Sequence, residues 1–250
     1  MALVGFFIAA CGGSPAVQKV GAPSSIEVRF GEAKAAYDKG DWLEAMRLFE
    51  EVRVEGPASA FAADATFLEA MSRFHQELYS GAAVDFRAMR RNYPSSPSAQ
   101  RAQFMIGESY FQLSPRPELD QTYSTFSLQE FQIFLRDYPS APSSMIDSAQ
   151  HRIAQVRNKL AKKMLMTGEL YVKLEESKAA ITYFNRVLDN YYDTDAAPEA
   201  ELRIAEVHYD HHRIDESRRA LQKFESKFLG SVPVPMRERA LALRNKLTNS

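Results

Sequence analysis

The residues whose types and spacing could do chemistry are few. His208 and His212 stand four apart in the run His208-Tyr209-Asp210-His211-His212, a spacing that would set two imidazoles on one side of a helix, as a divalent metal needs. Asp215 is a candidate third ligand, but no pattern fixes it, and no glutamate sits between the histidines in the hydrolase arrangement. The pair reads instead as a polar helix end, where histidines suit the C-terminal dipole. Glu175-Glu176 and Asp193-Thr194-Asp195 are neighbouring carboxylates in predicted turns; there they serve helix starts rather than acid–base work. No glycine-rich phosphate loop follows a strand, and no serine or cysteine has a histidine placed by a motif. Lys159, Lys162 and Lys163 share a helix face and read as solvated. These residues point to no enzyme, no cofactor and no metal.

One side chain does invite covalent chemistry. Cys11 is the single cysteine of the chain, which leaves no disulfide framework and no thiolate zinc site. It ends an apolar run of ten residues, too short to span a bilayer, that closes as Ile8-Ala9-Ala10-Cys11. This resembles the end of a secretory h-region leading into a bacterial lipobox, with Cys11 as the lipidation site. No lysine or arginine precedes the run, a departure from an ordinary signal peptide. Residues 1–10 are then the end of the signal peptide and residues 11–25, rich in Gly, Ser, Pro and Ala, a lipid anchor and flexible tether. Gly12, in place of an aspartate, is compatible with an outer-membrane destination.

Beyond the tether the chain repeats one helical unit. Its second helix is clearest in Phe86 to Pro94 and Phe131 to Pro139. Positions 0, 3 and 7 are apolar and share a face, and an aromatic–proline step then stops the helix. A copy from Phe184 to Tyr192 lacks the proline, and weaker copies start at Phe49 and Leu221. Four residues before each lead stand Ala45, Ala82, Ser127, Ala180 and Ser217, small enough to admit a partner helix closely. The leads at 49, 86, 131, 184 and 221 are spaced by 37, 45, 53 and 37 residues. A period in the thirties with helix–turn–helix content predicts an all-α, tetratricopeptide-like α-solenoid of five helix pairs plus a C-terminal capping helix. The two longer intervals predict extra loop or a longer first helix.

The first helices follow in order. Ile26, Phe30, Ala33 and Tyr37 mark one; Phe61 to Tyr79 a second, turned at Ser80-Gly81; Ala99 to Leu113 a third, with a loop from Ser114 to Thr125. Ile146 to Met164 mark the fourth, continuing to about Val172 despite Gly168, and Leu202 to Tyr209 the fifth. Leu241, Arg244 and Leu247 mark the cap after Pro233 and Pro235. The 250 residues are 45% hydrophobic, enough for several stacked units, and a net charge of −1 argues for no nucleic-acid partner.

Several stretches resemble the BamD family of outer-membrane assembly lipoproteins. They are Gly40-Asp41-Trp42-x-x-Ala45, Asp120-Gln121-Thr122, Leu135-Arg136-Asp137-Tyr138-Pro139 and Asn185-Arg186-Val187. Gly56 in place of a tyrosine, and Tyr192 in place of the fourth proline, depart from the pattern. The resemblance implies a non-catalytic scaffold on the periplasmic face of the outer membrane, held there by its lipid. It implies as partners a BamA-like barrel subunit, accessory lipoproteins and nascent outer-membrane β-barrel proteins. Residues 26–140, repeats 1–3, would receive peptide or accessory segments. Residues 141–250, repeats 4–5 and the cap, would dock the barrel subunit. Tyr37, Arg73, Gln103 and Tyr110 are the candidate peptide-binding residues, chosen for long or polar-tipped side chains on first helices. Arg186 is the candidate partner contact: it lies two residues from Phe184, about 200° around the helix, and so points out of the core. Two other readings are open. One is a periplasmic tetratricopeptide coordinator of cell-wall synthesis with the Tol system, which normally carries an N-terminal coiled coil; no sustained heptads precede residue 26. The other, a superhelix of the kind attached to lytic transglycosylases, needs a lysozyme-like domain with a catalytic glutamate, which no stretch of these residues supplies.

Overall fold

The computed structural model describes residues 24–249; Cys11 and most of the tether lie outside the described residues. Among the described residues there are eleven helices and no strand. The first pair is α1 (Ser25–Asp38) and α2 (Trp42–Glu55), the second α3 (Ala62–His75) and α4 (Tyr79–Asn92), the third α5 (Ser98–Leu113) and α6 (Thr122–Asp137). The fourth is α7 (Ser143–Lys173) and α8 (Ser177–Asn190), the fifth α9 (Ala196–Asp210) and α10 (Ile214–Lys227), and α11 (Val234–Thr248) follows. Five pairs and a terminal helix are what the repeat predicts.

Large side chains on the second helix of each pair mesh with small ones on the first. Phe49, Phe86, Phe131 and Phe184 are fully buried, and Leu221 nearly so. Each such ring contributes about 1.5–3 kcal/mol by leaving water. Opposite them stand Ala33, Ala70, Gly107, Gly168 and Ala205, all buried. Ala45, Ala82, Ser127, Ala180 and Ser217 are fully buried too. The two serines need an acceptor there, and find one across the pair: Ser127 Oγ donates to the Gly107 carbonyl at 3.0 Å and Ser217 Oγ to the Ala205 carbonyl at 2.8 Å.

The second helices stop alike. Gly56, Tyr93, Tyr138 and Tyr191 are C-caps, each donating its N–H to the carbonyl four residues back. Proline follows the first three. The fourth cap keeps φ −138° with Tyr192 behind it, so proline enforces this stop without being required for it. The turns within four of the five pairs are alike as well; the third pair is joined differently. Gly40 at φ 80°, Glu77 at 61°, Glu175 at 61° and His212 at 57° are left-handed. The next N–H in each reaches back five residues: Asp41 to Ala36, Leu78 to Arg73, Glu176 to Tyr171, Arg213 to His208. This is the Schellman closure of a helix C-terminus.

The long intervals have the two predicted causes. The third pair carries an inserted loop, residues 114–121, and α7 runs for 31 residues where the other first helices run for 14 to 16. Three local expectations need correcting. The second turn falls at Gln76-Glu77-Leu78, and Ser80 and Gly81 already lie in α4, because the left-handed residue there is a glutamate. Thr122 to Thr125 belong to α6, whose first turn is held by the Thr122 N–H donating to Asp120 Oδ1 at 2.9 Å. In α11 the buried side is Ala240, Leu243 and Leu247, with Leu241 turned outward. Ion pairs seat that helix: Arg239 reaches Glu199 and Glu206 on α9, and Glu206 also binds Arg203, which reaches Glu169 on α7.

Candidate functional site

The four peptide-groove candidates share the first three pairs, but their side chains are differently occupied. Gln103 is 0% exposed. Its amide nitrogen donates to the Glu130 carbonyl and carboxylate, each at 2.9 Å, and its oxygen accepts from Arg90. It is a buried pin between α4, α5 and α6 and offers no surface to a peptide. Arg73 is tied to Asp85 at 2.8 Å and lies along Gly81. Tyr37 packs edge-on against Trp42 and Phe49, with its hydroxyl 3.1 Å from His75 Nε2. The imidazole stacks on Trp42 with ring centres 4.3 Å apart.

Tyr110 differs. Its ring lies parallel to Tyr123 at 6.1 Å and tilted against Phe126 at 5.4 Å. Both of these aromatics are exposed, on α6. Arg87 donates to the Tyr110 hydroxyl at 3.4 Å and ion-pairs with Glu130 at 2.6 Å. Tyr123 and Phe126 were missed as candidates, and their sequence signal is weak: Tyr123 lies at the margin of the buried stripe of Ser124, Ser127, Phe131 and Phe134, and only Phe126, about 100° around the helix from Ser127, stands clear of it.

Arg186 is exposed on α8, as its phase predicts. Its guanidinium lies 4.8 Å over the ring of Tyr183, and Tyr183 stacks in turn on Tyr171 of α7 at 5.4 Å and 17°. No carboxylate among the described residues pairs with it, Asp189 included, although Asp189 lies only three residues on. Tyr171 and Tyr183 were likewise not read as part of a site. Leu170 and Leu174, beside Tyr171, are also exposed.

The residues first weighed for chemistry are dispersed. α9 ends at Asp210 and His212 is the left-handed turn residue, so His208 and His212 do not share a helix face. Among the described residues no three His, Cys, Asp or Glu side chains cluster as metal ligands. Asp193 pairs with Arg157, whose guanidinium also donates to the Asn190 carbonyl at 2.8 Å. Two of the three lysines are not merely solvated. Lys159 donates to Ser114 Oγ at 2.6 Å and to its carbonyl at 3.2 Å, and Lys163 to the Glu118 carbonyl at 2.8 Å. They fasten the inserted loop to α7. No described helix is long and apolar enough to cross a membrane.

Comparison with known proteins gives this scaffold its relatives. Proteins named outer membrane protein assembly factor BamD are similar to the chain. That of Caulobacter vibrioides is 26% identical over 183 residues, covering 73% of this chain and 59% of that protein. That of Rickettsia prowazekii is 27% identical over 205 residues, covering 82% and 80%. The chain thus spans less than two thirds of the Caulobacter relative's length. Among solved structures, the tetratricopeptide domain of P58(IPK) overlays at a TM-score of 0.44 and 14% identity, covering 90% of this chain and 66% of that one. At that score the repeat architecture rests on this chain's own helix pairs. The family described as YfiO, outer membrane lipoprotein, matches residues 24–224, from the N-cap of α1 to the buried Phe224 of α10. Over that span the large buried leads and their small partners recur in all five pairs and the left-handed turn in four, and the chain belongs to the YfiO family of outer membrane lipoproteins.

Proposed function

We propose that the protein is a non-catalytic scaffold subunit of the machinery that folds and inserts outer-membrane β-barrel proteins. It would sit on the periplasmic face of the outer membrane, anchored through lipid on Cys11. The family match over residues 24–224 carries this reading, and relatives named as assembly factors support it. Within the chain the two halves would have separate work. Residues 141–250 dock the barrel-bearing, BamA-like subunit, with Arg186 as a contact: the guanidinium is exposed, lies 4.8 Å over a tyrosine ring and pairs with no carboxylate among the described residues. Planar, bidentate donation is what such a group offers a partner's Asp or Glu.

Residues 26–140 receive client or accessory segments. The exposed group of Tyr110, Tyr123 and Phe126 replaces Gln103 and Arg73 as the surface for this, since those two are committed inside the fold. Tyr37, half-buried against Trp42 and His75, has only its edge to contribute. Stacked aromatics give an extended chain large contact area at small entropic cost. Depleting the protein from its own cells tests the role. Folded, heat-modifiable barrels should fall in the outer membrane while lipoproteins and inner-membrane proteins hold steady; unchanged barrel levels would refute it.

A further inference from the structure

The repeat supplies its own standard for the polar contact between neighbouring pairs. Between the second pair and the third, Gln103 fills the groove where α4, α5 and α6 meet. Its amide nitrogen donates to the Glu130 carboxylate at 2.9 Å, and its oxygen accepts from Arg90 Nη1. The groove between the first pair and the second is built from the same positions. Arg53 lies four residues after its lead Phe49, as Arg90 does after Phe86. Asp85 lies one residue before Phe86, as Glu130 does before Phe131. The place of Gln103 goes to Thr66, 37 residues earlier, as Ala70 stands 37 before Gly107 opposite the leads. Thr66 is too short to bridge, and its hydroxyl donates instead to the Ala62 carbonyl at 2.8 Å. Ala88 also stands where the third pair has Ile133. Two small side chains thus leave a cleft of about 210 Å³, lined also by Arg53, Glu69, Asp85 and Asn92. One water needs only about 10–15 Å³ of such space.

The polar groups around this cleft are short of partners. Asp85 Oδ2 is buried and accepts no hydrogen bond; Arg73 Nη1 lies 2.8 Å away, an ion pair without hydrogen-bonding direction. Arg53 gives Nε to Glu69 at 3.0 Å and turns Nη2 toward Glu50 at 3.6 Å. That leaves Nη1, the atom with which Arg90 holds Gln103. Burial pushes the Glu69 and Asp85 carboxyls upward, so the arginines do not fully offset their desolvation. Charge selects the missing group. A cation here would meet Arg53 and Arg73, and an anion would meet Glu69 and Asp85. A neutral group with a donor and an acceptor side by side satisfies both ends. We propose that this cleft binds the carboxamide of an asparagine or glutamine from an extended partner segment, its NH₂ on Asp85 and its oxygen on Arg53. The proposal rests on residues 26–140 receiving client or accessory segments, and it names a side chain that such a segment carries.

Thr66→Gln restores in this groove the amide that Gln103 supplies in the next. That variant should melt about 2–4 °C above the parent, whereas Thr66→Met, of similar length but without the amide, should not. Titrating the full chain with an unfolded outer-membrane barrel polypeptide, and separately with a purified accessory lipoprotein, tests occupancy from outside. Thr66→Gln should weaken at least one of the two by about tenfold, and the one weakened identifies the source of the amide. Ala88→Ile fills the same cleft from α4 and should do likewise, which keeps the test decisive if the glutamine variant folds poorly. If the folded variants bind both probes like the parent, the cleft holds only water and the proposal is overturned, while the receiving role of residues 26–140 stands. If Thr66→Gln melts no higher than Thr66→Met, the cleft does not take a carboxamide and the proposal is again overturned. If the parent binds neither probe, the receiving role itself falls, and this site with it.

Discussion

Gly168 of α7 faces the ring of Phe184 so closely that a Cβ there would lie 2.4 Å from Cε1. The fold is set by this approach, repeated with Gly107 against Phe131, where the distance would be 2.9 Å. Neither ring can withdraw, because each is fully buried. Gly168→Ala should therefore cost about 1–3 kcal/mol even though alanine favours helix. Chemical denaturation measures this, and adding Phe184→Leu should recover part of the loss. A neutral or stabilising Gly168→Ala would mean that the pair is looser than described.

The left-handed turns predict a gain. Glu175 holds φ 61°, a conformation that strains any side chain with a Cβ, where the equivalent Gly40 pays no such penalty. Glu175→Gly should raise stability by up to about 1 kcal/mol, less the entropy glycine adds to the unfolded chain. Gly40→Ala should lower it. Paired urea titrations with opposite signs are the expected result.

The repeat was legible in the sequence because its leads are large, its partners small, and their spacing local. Phe86 and Ala82 announce a helix pair whatever surrounds them. The groove was less legible, for a physical reason: the fate of a polar side chain depends on partners far away in the chain. Gln103 looks free until Glu130, 27 residues on, takes its amide. Lys159 looks solvated until Ser114, 45 residues back, takes its ammonium. The turn at Glu77 was misplaced because glycine marks it only in the first copy. Of the exposed aromatics, Phe126 is out of phase with the buried stripe of α6, whereas Tyr123 lies at its margin.

Acid should loosen the seat of α11. Burial pushes the Glu206 carboxyl up, but hydrogen bonds and charge from Arg239 and Arg203 more than offset this and hold it below its ordinary value. A folded-state pKa below the unfolded one means that this stabilisation is complete above the unfolded value and is lost as pH falls through the folded one. Stability followed downward from neutral pH should begin to decline near the ordinary glutamate pKa of about 4.3. Glu206→Gln should be less stable at neutral pH by about 1–3 kcal/mol, with a shallower acid limb. Superimposable limbs for the two proteins would remove Glu206 from the seat.

The inserted loop depends on Lys159. Burial depresses its pKa, yet its ammonium meets Ser114 Oγ, which in turn lies 2.6 Å from Ser124 Oγ. Lys159→Met keeps most of the aliphatic stem and removes the donors. Hydrogen exchange should then quicken across residues 114–121 and leave α9 and α10 unchanged. Protection unaltered in the loop would show that Lys163, on the Glu118 carbonyl, and Gln121, which donates to the Arg116 and Leu119 carbonyls, hold it without Lys159.

Affinity purification of the tagged chain from detergent-solubilised envelopes, beside its Arg186→Glu variant, bears most directly on the scaffold role. Arg186 is exposed, so the variant should keep its stability within about 0.5 kcal/mol. The parent should bring down a BamA-like barrel subunit, and the variant should recover far less of it. A parent that recovers no barrel subunit, or a variant that recovers as much as the parent, would contradict the account.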